Sequence, residues 1–114
     1  MSRPRFPVGK FAIAIASLVA VVTLIATSYE ENLLITSVLV LSVLAILLRK
    51  GCSRRDVVAF CIGAILGPSM EVIAIRGGAW QYAHPSFFGI PLWLPFLWGL
   101  TAFAMQKITQ WIVR

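Results

Sequence analysis

Long apolar runs separated by short polar segments dominate the hydropathy pattern of this chain. The runs cover residues 11–28, 33–48, 57–75 and about 89–110, and the first two contain no charged residue. An α-helix rises about 1.5 Å per residue, so about 20 residues cross a hydrocarbon core of ~30 Å. The pattern therefore predicts four transmembrane helices. The second run is short, and Asn32 or Arg49 is expected to extend it to the interface.

Short polar segments at 29–32 and 49–55 connect the first three runs. Connections of this length place consecutive helices side by side and antiparallel. We therefore predict an all-α fold: a polytopic, four-transmembrane-helix antiparallel bundle in which residues 1–114 form one integral membrane domain and helices one to three are sequential neighbours. The S-x-x-D spacing of Ser53-Arg54-Arg55-Asp56 is that of a capping box, which predicts the start of the third helix.

The composition supports a membrane protein. Hydrophobic residues make up 60% of the 114 residues and charged residues 12%, whereas a typical soluble domain has about 45–50% and about 25%. A small soluble domain would have to bury most of this apolar surface in one core, and small domains bury the least. A soluble enzyme, a disordered chain and a disulfide scaffold are therefore excluded as leading interpretations.

The net charge of +6 predicts an orientation rather than a nucleic-acid partner. The ten Lys and Arg residues lie in short clusters between the apolar runs, and all except Arg76 fall on one side of a four-span arrangement. Because cytoplasmic loops carry an excess of Lys and Arg, we expect both termini to be cytoplasmic. The expected location is the bacterial cytoplasmic (inner) membrane.

The first apolar run has an alternative interpretation as a secretory signal peptide. Basic residues precede it, and Ala26-Thr27-Ser28 at its end resembles a small-x-small cleavage site. The run is longer than a usual signal-peptide core, which favours a retained helix. Cleavage would leave three spans in the same orientation.

The third run carries a pattern that predicts close helix packing. Gly63 and Gly67 form a G-x-x-x-G pair, and Glu71 continues the same stripe at helical spacing. Small residues on one face let a second helix backbone approach closely, so Glu71 is expected on a packed face rather than toward lipid. Pro68 removes one helical hydrogen bond and predicts a kink just before Glu71.

Glu71 is the strongest candidate for a functional residue. An ionisable side chain inside a membrane span is costly and is a functional candidate by default. Two interpretations remain open: a general acid, base or proton site, or a residue that fastens helices together. Arg76 is the obvious counter-ion, but five residues along a regular helix place the two about 140° apart.

The segment between the last two runs is rich in aromatic residues. One interpretation is an interfacial aromatic belt. The other is a wall over Glu71, in which Tyr82 and His84 are tentative catalytic residues. The tentative substrate-binding residues are then Arg76, Trp80, Gln81 and Trp93. His84, Cys52 and Cys61 lack metal-ligand spacing, so neither a metal nor a cofactor is expected.

One further pattern lies in residues 71–99: Glu71, Gly78-x-Trp80-x-Tyr82, Gly89-Ile90-Pro91-Leu92-Trp93-Leu94-Pro95 and Trp98-Gly99. It resembles the signature half of small multi-pass bacterial membrane proteins of uncharacterised function. It is also loosely similar to the hydratase-type membrane proteins of carotenoid biosynthesis, in which a Glu precedes a Gly- and aromatic-rich loop. The second resemblance implies an apolar, isoprenoid-like substrate.

The expected function is that of an accessory or lipid-binding module with an outward-facing polar site at Glu71. One alternative is a membrane-embedded enzyme that acts on an isoprenoid or lipid, with Glu71 as general acid or base. A second alternative is a proton-coupled carrier with Glu71 as the proton site. The expected partners are the lipid bilayer and a second copy or another membrane protein.

Overall fold

The computed structural model describes residues 5–113 and contains four α-helices and no strand within that range. An isolated bridge between Phe87 and Ile90 is the only β pairing there. The all-helical prediction is confirmed. Arg3 and Arg114, which entered the orientation argument, lie outside the described residues. The helices are α1 (Val8–Ser28), α2 (Asn32–Leu48), α3 (Arg54–Arg76) and α4 (Leu94–Ile112).

The start of α3 is fixed by the predicted capping box. The Asp56 amide donates to Ser53 Oγ over 3.2 Å, and the Ser53 amide donates to Asp56 Oδ2 over 3.0 Å. Two amides that have no partner within the helix are satisfied in this way. The helix then runs through Pro68, which is buried, to Arg76. The bend at Pro68 stays a prediction.

The tightest packing in the molecule is the seam between α3 and α4. Gly63 and Gly67 are buried in it, and a Cβ at Gly63 would lie only 2.5 Å from Ala102 Cβ. From the opposite helix, a Cβ at Gly99 would lie 2.5 Å from the Phe60 ring. Glycine on both helices lets the backbones approach closely. Gly63 and Gly67 thus lie on the face that the sequence pattern predicted.

The order of neighbouring helices differs from the prediction. Helices one to three were expected to be sequential neighbours. α1 contacts α2 as expected, but α3 packs chiefly on α4 instead of α2, and α4 contacts all three other helices. The reason is the distribution of small residues, because the glycines of α3 and α4 match each other whereas α2 presents bulky aliphatic side chains. Two of these, Ile35 and Leu39, form the buried core with Ile90, Trp93 and Leu94.

Much of the apolar surface faces outward. α1 has no buried residue, and every helix carries exposed large hydrophobic side chains, among them Val19, Leu41, Ile65 and Met105. Within the described residues α1 and α3 are long and apolar enough to cross a membrane, and α2 is a shorter apolar helix. These two helices weakly indicate a membrane protein.

Candidate functional site

Glu71 lies on α3 where three segments of the chain meet. Its side chain is half-buried. The Tyr82 hydroxyl donates to Glu71 Oε1, and the Trp98 indole N–H donates to Glu71 Oε2. The carboxylate therefore joins α3 to both the loop at 77–93 and α4. We call Glu71, Tyr82 and Trp98 the outer cluster.

The position of Trp98 depends on Gly67. A Cβ at Gly67 would overlap the Trp98 ring, so the indole lies where a larger residue would place its side chain. Residues four apart lie on the same helix face, so an indole over Gly67 directs its N–H toward Glu71. Trp98 belongs to the sequence pattern of residues 71–99, but its bond to Glu71 was not predicted. The signal that was available is a glycine one turn before a carboxylate in an apolar helix, which leaves space for a ring that donates to it.

Tyr82 is held by packing as well as by its hydrogen bond. Its half-buried ring meets the buried Trp93 ring edge-to-face, with centroids 6.2 Å apart and an interplanar angle of 90°. Burial and then the adjacent Glu71 carboxylate raise the pKa of the Tyr82 hydroxyl well above its usual range. The hydroxyl therefore remains protonated and continues to donate at neutral and moderately alkaline pH.

Asn32, at the start of α2, fixes the loop that carries Tyr82. Asn32 Nδ2 donates to the His84 carbonyl over 2.8 Å and to Ser86 Oγ over 3.2 Å. Its Oδ1 accepts from Trp93 Nε1 over 3.2 Å. Since Trp93 is buried, this bond satisfies a donor that would otherwise lose its partner. Asn32 was expected only to extend the second apolar run to the interface, and its bonds to the loop were not predicted.

The other candidate residues lie away from the Glu71 carboxylate. The His84 ring lies beside Tyr29, with centroids 6.0 Å apart, and does not bond to Glu71. Trp80, Gln81 and Arg76 are exposed. Arg76 does not pair with Glu71, whose hydrogen-bond partners are both neutral. Of the tentative catalytic set, the structure brings together Glu71 and Tyr82 but not His84.

A second carboxylate lies at the opposite end of the α3–α4 seam. Asp56 is only 1% exposed and forms an ion pair with Lys107 at 2.9 Å. Gln106 Nε2 also donates to it over 2.8 Å. The Lys107 ammonium in turn lies 5.7 Å from the Phe103 ring centroid. We call Asp56, Gln106 and Lys107 the inner cluster; together with the helix cap, it gives both oxygens of the buried Asp56 carboxylate a partner.

Among residues 5–113, no three His, Cys, Asp or Glu side chains lie together as a metal site would require. The outer cluster presents a carboxylate with two hydrogen-bond donors.

Comparison with known proteins gives no relative. No family model matches the chain, and no curated protein or solved structure matches it. The resemblance to carotenoid-biosynthesis proteins stays a prediction.

Proposed function

We propose that this chain is a small multi-pass protein of the bacterial cytoplasmic membrane that acts as an accessory or lipid-binding module, with its polar site at Glu71. The observation that carries membrane insertion is the outward-facing apolar surface of all four helices, including an α1 without any buried residue. Burying one large aliphatic side chain stabilises by about 1.5–3 kcal/mol relative to leaving it in water. A bilayer would cover this surface.

The inner cluster supports α4 as a fourth span. α4 contains Gln106 and Lys107, which make it less apolar than α1. Both side chains turn toward Asp56 on α3, so the charge is paired within the protein instead of facing lipid. A paired charge that faces the bundle interior is the usual way in which membrane helices hold ionisable residues.

The ends of the helices support the proposed orientation. Glu30 and Glu31 are exposed in the turn between α1 and α2, at the end where the loop at 77–93 lies. Lys50, Arg54 and Arg55 are exposed at the opposite end. With the basic end in the cytoplasm, the outer cluster lies toward the external face and both termini lie inside.

The outer cluster has the chemistry of an acceptor site. An ionised carboxylate offers about four lone-pair positions, and Tyr82 and Trp98 occupy one on each oxygen. Neither partner neutralises the charge. Trp98 is 37% exposed, so the cluster is open on one side. A lipid whose headgroup carries a hydroxyl or ammonium donor fits this site.

A second candidate function is favoured by the hydrogen bond between Tyr82 and Glu71. A carboxylate that directly accepts from a phenol can pass a proton through it to a bound molecule. This pair would serve a membrane-embedded enzyme that acts on an isoprenoid or lipid. Glu71 would be the base or acid, and Tyr82 would relay the proton.

The test is native mass spectrometry of protein released gently from carbonate-washed membranes. We expect the protein to stay in the washed membranes and to carry a lipid in the wild type. The lipid should be lost in Glu71→Gln, because the substitution removes the charge and replaces one acceptor oxygen with an amide. The matched control is Glu31→Gln, which removes an exposed carboxylate at the same end and should retain the lipid.

Each other outcome has a defined meaning. Extraction by carbonate would overturn membrane insertion, and lipid retention by Glu71→Gln would overturn the site. A stable complex with a second protein in place of lipid would support the accessory role. Conversion of an added isoprenoid by the wild type, but by neither Glu71→Gln nor Tyr82→Phe, would favour the enzyme.

A further inference from the structure

An open groove of about 580 Å³ runs between α3 and α4 at the basic end of the molecule. Its volume lies within the ~300–1,000 Å³ range of ligand sites. Apolar side chains line most of it, and two arginines of the first turn of α3 line one part. The apolar residues are Val58, Ala59, Ile62 and Ala102, the arginines are Arg54 and Arg55, and Gln106 of the inner cluster is the remaining lining residue.

The charge of the two arginines is not neutralised by the protein. Both side chains are exposed, and neither forms an ion pair among residues 5–113. The adjacent carboxylate, Asp56, is already committed to Lys107 and Gln106. Glu71 lies about 22 Å from Asp56 along the helix, at 1.5 Å per residue, and its hydrogen-bond partners are Tyr82 and Trp98. The groove therefore combines uncompensated positive charge with an apolar lining.

We propose that this groove binds an anionic phospholipid of the cytoplasmic leaflet, with the phosphate against Arg54 and Arg55 and part of one acyl chain along Val58, Ala59 and Ile62. The charge complementarity and the apolar continuation select a lipid over a soluble phosphate, which would use only the arginines. Basic pockets between membrane helices on the cytoplasmic side bind anionic headgroups by this chemistry. The inference rests on the proposed membrane insertion and orientation but not on the Glu71 site.

The headgroup is tested by lipid titration of the detergent-solubilised full chain, followed by native mass spectrometry. We expect phosphatidylglycerol to bind at lower concentration than phosphatidylcholine. The Arg54→Gln/Arg55→Gln variant should lose at least tenfold in affinity for phosphatidylglycerol, because each basic residue near an anionic surface contributes about fivefold. The matched control is Lys10→Gln/Lys50→Gln, which removes two exposed cations from the same end without touching the groove and should lose less than threefold.

The apolar part is tested with Ala59→Leu, which fills the groove and should weaken phosphatidylglycerol binding severalfold. Ala45→Leu adds the same bulk on an exposed face of α2 and should leave binding unchanged. Glycerol phosphate, which has no acyl chain, should not displace the lipid at equal concentration.

Three results would overturn the inference: equal binding of the two lipids, equal losses in the arginine variant and its lysine control, or displacement by glycerol phosphate. Glu71→Gln separates this proposal from the function proposed above. It should leave phosphatidylglycerol binding intact even if it removes the lipid of the outer cluster. Failure of membrane insertion would instead appear earlier, in the carbonate wash.

Discussion

The two carboxylates of α3 show two ways in which a helix pair can hold an acid. Asp56 and Glu71 both face α4, about 22 Å apart along the helix. Asp56 is almost fully buried and has a cation, an amide and a capped backbone as partners. Glu71 is half-buried and has two neutral donors. The same helix therefore carries one closed cluster and one open cluster.

The difference separates a structural acid from a candidate binding acid. A buried charge whose partner is removed destabilises a protein strongly, so the Asp56–Lys107 pair fixes the register of α3 against α4. The outer cluster has a carboxyl group whose two hydrogen-bond partners are neutral, together with an exposed side and unused acceptor positions. A site that binds a donor needs those properties, and a helix clamp does not.

The largest effect is expected at the inner cluster. Asp56→Ala should lower the free energy of unfolding by about 3 kcal/mol, because it leaves Lys107 without its ion-pair partner and removes half of the helix cap. Thermal unfolding in detergent, followed by circular dichroism, measures this. If Asp56→Ala lowered the free energy of unfolding no more than Glu71→Gln does, Asp56 would have no greater structural role than Glu71.

The control for that prediction is a double-mutant cycle. Lys107→Met leaves Asp56 without its cation, and the Asp56→Ala/Lys107→Met double variant removes both partners. If the two charges act as a pair, the double variant should lose clearly less than the sum of the two single losses. Additive losses would show that the pair is not coupled.

An intermediate effect is expected where the outer cluster is packed. Gly67→Ala should cost about 1–3 kcal/mol, since the added Cβ overlaps the Trp98 ring and must displace it from Glu71. Gly9→Ala is the control, because no atom lies within 4 Å of a Cβ at Gly9. It should be neutral or slightly stabilising. Equal behaviour of the two variants would mean that Trp98 does not depend on Gly67.

The smallest effect is expected from a single neutral donor. Tyr82→Phe should lower the free energy of unfolding by about 1 kcal/mol, whereas Tyr29→Phe should change it little, because the exposed Tyr29 makes no comparable bond. If Tyr82→Phe lowered the free energy of unfolding more than Asp56→Ala does, the outer cluster would contribute more to stability than the inner cluster.

The same variant has a pH signature. The pKa of Tyr82 is raised in the fold, so its contribution to stability is complete below the usual tyrosine pKa of about 10 and is lost only as the pH rises through the higher folded value. An alkaline absorbance titration should therefore show a late tyrosinate step that is absent in Tyr82→Phe. A wild-type titration without that late step would contradict the geometry.

Local patterns predicted the parts of this fold that depend on neighbouring residues. The capping box at Ser53 formed as expected, because its two hydrogen bonds lie within one turn. Glu71 was predicted on the glycine face because helical periodicity fixes the face of a residue, and in the structure it accepts a hydrogen bond from Trp98 of α4. The prediction of helix neighbours was wrong for α2 and α3, because a short connection limits where a helix can go but does not determine which helix it packs on.

The partners of the candidate site show the same division. The Trp98–Glu71 hydrogen bond joins α4 to α3, and the Trp93–Asn32 hydrogen bond joins residues separated by more than half the chain. Neither bond has a periodic signature. Trp98 meets Glu71 because its indole ring fits over Gly67. Asn32 meets Trp93 because its amide oxygen accepts from the buried indole N–H.

Sequence patterns alone were enough to predict a helical, strongly apolar chain whose cations lie in the short segments beside the apolar runs, and a third helix with a carboxylate at helical spacing from two glycines. Periodicity, capping and charge count are local properties, and they remain the same whatever the helices pack against. The contacts of α4 with all three other helices, the near-complete burial of Asp56 and the partial exposure of Glu71 are visible only in the folded structure. Those outcomes depend on which side chains fit between two helix backbones, and the residues that must fit together are distant from one another in the sequence.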